Sequence, residues 1–259
     1  MILGIDTSGL LGGVALAQDG KLMAELKVDA RSAASERILP QINHLLEDLG
    51  VTEDNIRRIG VSIGPGSFTG LRVGLATAKG LSLGWGIPLV GISSLRSKIA
   101  ALQTPLPVLA VTAHRRGSLF AGGISNFGGE EVILLDESTR QLADCTSWVA
   151  EALTSAREIG YEELLITGDA AALLYQTLHG ADSEPEGEGA IGLDSREGAS
   201  SENLTDRLRL VPGFPGSTPG VVALLASAAP ESALIGPADT SKVEPQYLRG
   251  SDAKLPGQR

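Results

Sequence analysis

The sequence is poor in the residues from which most self-contained catalytic and nucleic-acid-binding sites are built. Its 259 residues include one cysteine and three histidines. Cys145 has no partner for an internal disulfide or a zinc site, which fits a reducing compartment and a buried thiol behaving as a small hydrophobe. His44, His114 and His179 are too widely spaced for the pair four residues apart that sets two imidazoles on one helix face. Local spacing therefore excludes a paired-histidine metal centre. Aromatic residues make up 3% of the chain and the net charge is −10. A protein that reads RNA unaided shows stacking aromatics and a basic balance instead. Apolar runs are broken by Gly, Ser or a charge before the ~18 residues that a membrane span requires. The start, MILGIDTSG, has no basic segment ahead of an apolar one. The expectation is a cytoplasmic protein with no membrane contact.

One further absence is local: no Asp or Glu occurs from Asn55 to Gly129. That stretch holds Arg57, Arg58, Arg72, Lys79, Arg96, Lys98, Arg115 and Arg116. Either glycine-rich core elements leave little room for acids there, or the stretch forms a basic surface that faces a partner.

What is present is enough for a sizeable core, 42% hydrophobic residues against 20% charged. Strands are expected at Ile2–Ile5, Gly13–Ala17 and Lys21–Val28, the last two joined by an Asp19-Gly20 turn. Ile38, Leu39, Ile42, Leu45, Leu46 and Leu49 recur at three- and four-residue steps and predict a helix over Ser35–Leu49, with Pro40 in its first turn. A buried strand Ile59–Ile63, a helix Phe68–Trp85, a strand Leu89–Ile92 and a short helix Ser93–Leu102 follow. Thr104, Pro105 and Pro107 mark a boundary, after which the order repeats. Strands at Val108–Thr112, Leu119–Ser125 and Val132–Leu135 are expected, then a helix Trp148–Ala156, a strand Leu164–Thr167 and a helix Ala170–Leu178. Three strands, helix, strand, helix, twice over, is the pattern of a duplicated ribonuclease-H-like lobe. The predicted division is 1–104 and 105–259, with an acidic insertion at about 181–206, a helix from Thr218 to Ala228 and an extended tail.

The most informative run is GPGSFTGLRVG, Gly64 to Gly74, between a strand and a helix. Several glycines at a helix N-terminus resemble a phosphate cradle. The spacing fits neither usual version: no Gly-Lys-Ser/Thr occurs, G-x-G-x-x-x-G is one residue too long for the dinucleotide fingerprint, and no acid stands about 20 positions on. The following helix carries Gly70, Gly74 and Ala78 at four-residue spacing beside Leu71 and Leu75. Each glycine inside a helix costs about 0.5–1 kcal/mol relative to alanine, so Gly74, Gly80 and Gly84 call for a compensating close approach. The approaching helix is either the chain's own first helix or that of another subunit.

This run, with ILGIDTS at the start, SERILPQI, HRRG, ITGDAA and EPQYLR in order, closely resembles the TsaB (YeaZ) family. The resemblance implies a two-lobed α/β fold of the actin-like, Hsp70-like (ASKHA) class. It implies a non-catalytic scaffold subunit in the machinery that transfers a threonylcarbamoyl group to N6 of the adenosine next to the anticodon of tRNAs. The implied partners are the catalytic paralogue TsaD and the ATPase TsaE. In isolation a homodimer is implied, with tRNA met only through the complex. A helical bundle between subunits would use Ile38, Ile42, Leu45, Gly70, Leu71, Gly74, Leu75 and Ala78, with Arg72 and Lys79 at its rim. Asp6, Thr7 and Ser8 resemble the first phosphate loop of actin-like ATPases, and Gly168 and Asp169 lie where that fold places an adenosine contact. The alternatives are a hairpin turn capped by its own side chains and an Asp N-cap. No cofactor is required on this reading, weak ATP or ADP binding remains open, and the competing function is a stand-alone ATP-dependent phosphotransferase or ATPase. The chain departs from the family at Ala34-Ser35-Glu36, Ala113-His114-Arg115 and Ser118-Leu119-Phe120.

Overall fold

The structure, a computed structural model, describes residues 1–29, 34–127, 130–179, 203–211 and 218–246. In chain order the elements are β1 (Ile2–Asp6), β2 (Leu11–Gln18), β3 (Lys21–Asp29), α1 (Ala34–Asp48), β4 (Arg58–Gly64), α2 (Phe68–Trp85), β5 (Leu89–Ser93) and α3 (Ser94–Ala101). Then come β6 (Val108–Ala113), β7 (Ser118–Phe127), β8 (Glu130–Gln141), α4 (Cys145–Glu158), β9 (Leu164–Thr167), α5 (Ala171–His179), β10 (Leu208–Leu210) and α6 (Pro219–Ala228).

These form two units, Met1–Leu102 with Pro215–Leu248, and Gln103–Phe214 with Arg249–Arg259. The first sheet has the order β3-β2-β1-β4-β5 and the second β10-β9-β6-β7-β8. In each, three antiparallel strands are extended by two parallel ones. The repeated topology is that of two ribonuclease-H-like lobes, as the duplicated element order predicts.

Alternation along β1 and β4 divides the first sheet between two helical layers. Leu3, Ile5, Ile59 and Val61 pack with Ile38, Ile42, Leu45, Leu75 and Ala78 of α1 and α2. On the opposite face Gly4 and Gly60 let α6 lie directly on the strands: a Cβ on Gly4 would stand 2.2 Å from the Pro219 carbonyl oxygen. In the second unit Leu109, Val111, Leu164 and Ile166 pack with Trp148, Val149, Ala152 and Leu153 of α4 and Leu174 of α5. Cys145 belongs to that core, and burial pushes its thiol pKa up.

Four expectations need correction. The C-terminal lobe does not run from 105 to 259, because α6 and the described residues after it, 229–246, fold with the first unit. The tail is not simply extended: it makes tight turns at Glu231–Ala233 and Pro237–Lys242 and a bridge between Ile235 and Leu89, and Val243 enters the first core. Pro40 lies in the second turn of α1. Lastly, β8 continues six residues past Leu135, and β10 was not expected at all. At an edge strand the hydrogen-bond ladder extends through polar residues such as Ser138 and Thr139, so hydrophobic alternation stops before the strand does. The three residues of β10 are too few for a pattern to register.

Candidate functional site

The first loop folds on itself, as its own polar side chains predict. Asp6 is 1% exposed, and its Oδ1 accepts from the Ser8 backbone N–H at 3.0 Å and from Ser8 Oγ at 2.7 Å. Its Oδ2 accepts from the backbone N–H of Thr218 at 2.8 Å, at the N-cap of α6. A second carboxylate serves the same helix end, with Glu25 Oε1 accepting from Gly220 N–H at 2.8 Å. Two acids thus meet orphan donors where the helix dipole favours negative charge. Neither Thr218 nor Glu25 was identifiable as a partner from sequence, because 212 and 195 positions separate them from Asp6 and Gly220.

The glycine-rich run is occupied by that same loop. Ser67 N–H donates to the Ser8 carbonyl at 2.8 Å, and Thr7 Oγ1 donates to the Gly70 carbonyl at 2.7 Å. A Cβ on Gly66 would stand 2.3 Å from the Ser8 carbonyl oxygen, one on Gly70 2.0 Å from that of Thr7, and one on Gly74 2.2 Å from Thr7 Oγ1. Ser67 caps α2 by accepting from Gly70 N–H at 3.2 Å. The glycines therefore admit the DTS loop, and the position of an anion in a phosphate cradle is taken by backbone carbonyls of the chain itself.

That arrangement corrects the expected partner interface. Ile38, Ile42, Leu45, Gly70, Leu71, Gly74, Leu75 and Ala78 are buried within the first unit. The periodic apolar and small positions mark the inward stripe of the two helices, and for Gly70 and Gly74 the close neighbour is Thr7 rather than another helix. Of the expected set, Arg72 is exposed and Lys79 half-buried. The outward face of α2 instead presents Phe68 (48% exposed), Arg72, Ala76, Gly80, Leu83 (59%) and Gly84, and α1 adds Leu39 (50%). Arg72 lies over the Phe68 ring, its Cζ 3.8 Å from the centroid. A Cβ on Gly80 or Gly84 would meet nothing within 4 Å. Among the described residues nothing approaches closely enough to compensate those two glycines.

In the second unit Gly168 takes a φ of +108° and a Cβ there would stand 2.0 Å from the Val111 carbonyl oxygen. Asp169 Oδ2 accepts from Ala113 N–H at 3.3 Å, so its carboxylate ties the loop to the end of β6 instead of capping α5. His114 packs on Phe120 with centroids 4.2 Å apart, beside the exposed Arg115 and Arg116. His44 pairs with Asp48 at 3.4 Å on the exposed side of α1, and both nitrogens of His179 meet carbonyl oxygens, of Tyr175 at 2.9 Å and Thr205 at 3.2 Å. Among the described residues no group of three or more His, Cys, Asp or Glu could hold a metal ion.

A family model described as TsaD, tRNA N6-adenosine threonylcarbamoyltransferase, matches residues 28–178. The chain is 39% identical over 187 residues to the tRNA threonylcarbamoyladenosine biosynthesis protein TsaB of Escherichia coli K12, covering 67% of this chain and 80% of that one. The Bacillus subtilis protein of the same name is 36% identical over 170 residues, covering 63% and 72%. YeaZ from Pseudomonas aeruginosa shares the fold, with a TM-score of 0.67 at 18% identity over 95% of this chain and 99% of that one. With the GPGSFTGLRVG run set between β4 and α2 and the fold shared with YeaZ, the chain belongs to the TsaB (YeaZ) family.

Proposed function

We propose that this chain serves the biosynthesis of threonylcarbamoyladenosine on tRNA as a non-catalytic scaffold subunit, which makes the catalytic paralogue TsaD competent for transfer. The observation that carries this reading is the engagement of Asp6. In an actin-like ATPase the corresponding Asp approaches the metal-bound nucleotide, whereas here both carboxylate oxygens are spent on Ser8 and Thr218 inside the fold. The loop that would hold phosphates is filled by the chain's own backbone. Docking falls to the outward face of α2 with Leu39 of α1, where large apolar side chains are exposed and Gly80 and Gly84 leave room for a helix. TsaD and, in isolation, a second copy use this face. TsaE joins the complex, tRNA is met through it, and the chain itself needs no cofactor. The work is done in the cytoplasm; no described helix is long and apolar enough to cross a membrane.

Reconstitution tests the proposal. With TsaD, TsaE, ATP and tRNA, modification should depend on this chain, and the chain alone should turn over no ATP above background. ATP hydrolysis by the purified chain that disappears in Asp6→Asn would establish the competing ATPase reading instead.

A further inference from the structure

At the end of the first sheet remote from the DTS loop, where β1, β4 and β5 begin and α6 ends, lies a cleft of about 340 Å³. Small-ligand sites run from ~300 to ~1,000 Å³, so this one suits a molecule of modest size. Ile2, Pro88 and Leu234 supply its apolar walls. Backbone bonds fix the frame: Arg57 N–H donates to the Met1 carbonyl at 2.9 Å and Ile59 N–H to the Pro88 carbonyl at 3.0 Å. Ile235, next to Leu234, exchanges a pair of such bonds with Leu89 at 2.9 and 3.0 Å. A ligand would therefore find the walls already in place and would not have to order them.

Four charged side chains line the cleft, and only two of them satisfy each other. Arg58 Nη2 donates to Glu231 Oε1 at 3.1 Å, while its Nη1 donates to the carbonyls of Ala226 and Ala229 at 3.1 and 3.0 Å, closing the end of α6. Arg57 and Asp19 are both exposed, and neither makes an ion pair with the other or with any described residue. The Asp19 carboxylate meets the Gln18 amide at 3.4 Å. Met1 also lines the cleft, and its ammonium donates to the Asn55 carbonyl at 2.6 Å. Burial and then Arg57 lower the pKa of that ammonium, while Asp19 pulls it up, so the two side chains lie close enough to act on one group. The Ser227 hydroxyl, at the end of α6, has no hydrogen bond among the described residues.

A cation and an anion left apart in one cleft select for a ligand that carries both charges. A simple anion would gain Arg57 and be repelled by Asp19, and a simple cation would meet the reverse. A zwitterion with an apolar side chain satisfies both poles and covers the walls as well. We infer that this cleft binds a free α-amino acid with an apolar side chain, its carboxylate on Arg57 and Ser227 and its ammonium on Asp19. None of these residues lies on α1 or α2, so the site is separate from the docking face.

Isothermal titration of the full chain with L-leucine provides the test, with a thermal melt of each variant to establish folding. L-leucine should bind. Isocaproate, which lacks the ammonium, and L-leucinamide, which lacks the carboxylate, should each bind at least about tenfold more weakly. Arg57→Gln and Asp19→Asn should each weaken L-leucine by about tenfold or more. Asp19 has a φ of +50°, which asparagine also tolerates, so the turn should survive the substitution. Each variant should also lose one preference that mere structural damage would not single out: Arg57→Gln that for L-leucine over L-leucinamide, and Asp19→Asn that over isocaproate. No binding of L-leucine at up to about 10 mM would overturn the inference, as would isocaproate binding as tightly as L-leucine. L-leucine binding unchanged in both variants would place the amino acid elsewhere and overturn it too.

Discussion

The Oδ2 atom of Asp6 accepts a hydrogen bond from the backbone N–H of Thr218 across 212 residues of sequence, at 2.8 Å. The carboxylate thereby anchors the start of α6 on the first sheet. Asp6→Ala would leave the Thr218 N–H and the Ser8 donors without their acceptor at a site 1% exposed. Losing charge-assisted bonds of this kind typically costs about 1.5–3 kcal/mol each when the partner stays buried. Asp6→Ala should therefore lose at least about 2 kcal/mol of folding stability in a denaturant melt. At temperatures where the variant remains folded, tRNA modification by the reconstituted complex should be retained.

Glycines inside α2 should respond differently to added bulk. Gly74→Leu drives a side chain into Thr7, and overpacking of about 3 kcal/mol or more is expected because the neighbour is held by its own bond to Gly70. Its loss should appear in folding, with association following passively. Gly80→Ala meets open space in the isolated chain and should raise stability by about 0.5–1 kcal/mol through helix propensity. Chemical denaturation of the two variants side by side distinguishes them, and a stabilised Gly74→Leu would refute the account of Thr7.

Gly168→Ala should destabilise the second unit. The position combines a left-handed φ with a carbonyl oxygen 2.0 Å from the new Cβ, so strain and clash add. A drop of more than about 2 kcal/mol is expected, and tryptophan fluorescence of Trp148, which lies in that core, would report it. An unchanged fluorescence melt would contradict the placement of this loop against Val111.

Removal of the acidic segment should be tolerated, provided the cut respects its far end. Residues 183–202 lie outside the described residues and contain few apolar positions. Leu204, by contrast, packs on the second core, and the Thr205 carbonyl is 3.2 Å from His179 Nε2. Deleting 183–202 should leave the melting temperature nearly unchanged, whereas extending the deletion through Thr205 should lower it.

Cys145 should be slow to alkylate in the native protein. Its thiol is buried, and desolvation raises its pKa, so the reactive thiolate is scarce at about pH 8. Iodoacetamide labelling should be many-fold faster in denaturant. Equal rates in the two states would show the residue to be accessible.

Periodicity, turn residues and glycine placement are local properties, and they determined a good deal. The bounds of α2 and β9, the duplicated element order, the self-capped DTS loop and family membership were all legible from residues close together in the chain. Tertiary structure decided which side of each helix faces inward and what lies against it. A hydrophobic stripe such as Leu71, Leu75 and Ala78 looks the same whether it packs on its own sheet or on another subunit, because burial of apolar area has no direction. Only the packed fold shows that Thr7 fills the space at Gly70 and Gly74 and that Gly80 and Gly84 remain open. The return of α6 to the first sheet was likewise hidden. Its contacts with Gly4, Asp6, Glu25 and Gly60 join residues far apart in the chain, 212 positions for Asp6 and Thr218, and no local pattern encodes a partner at that distance.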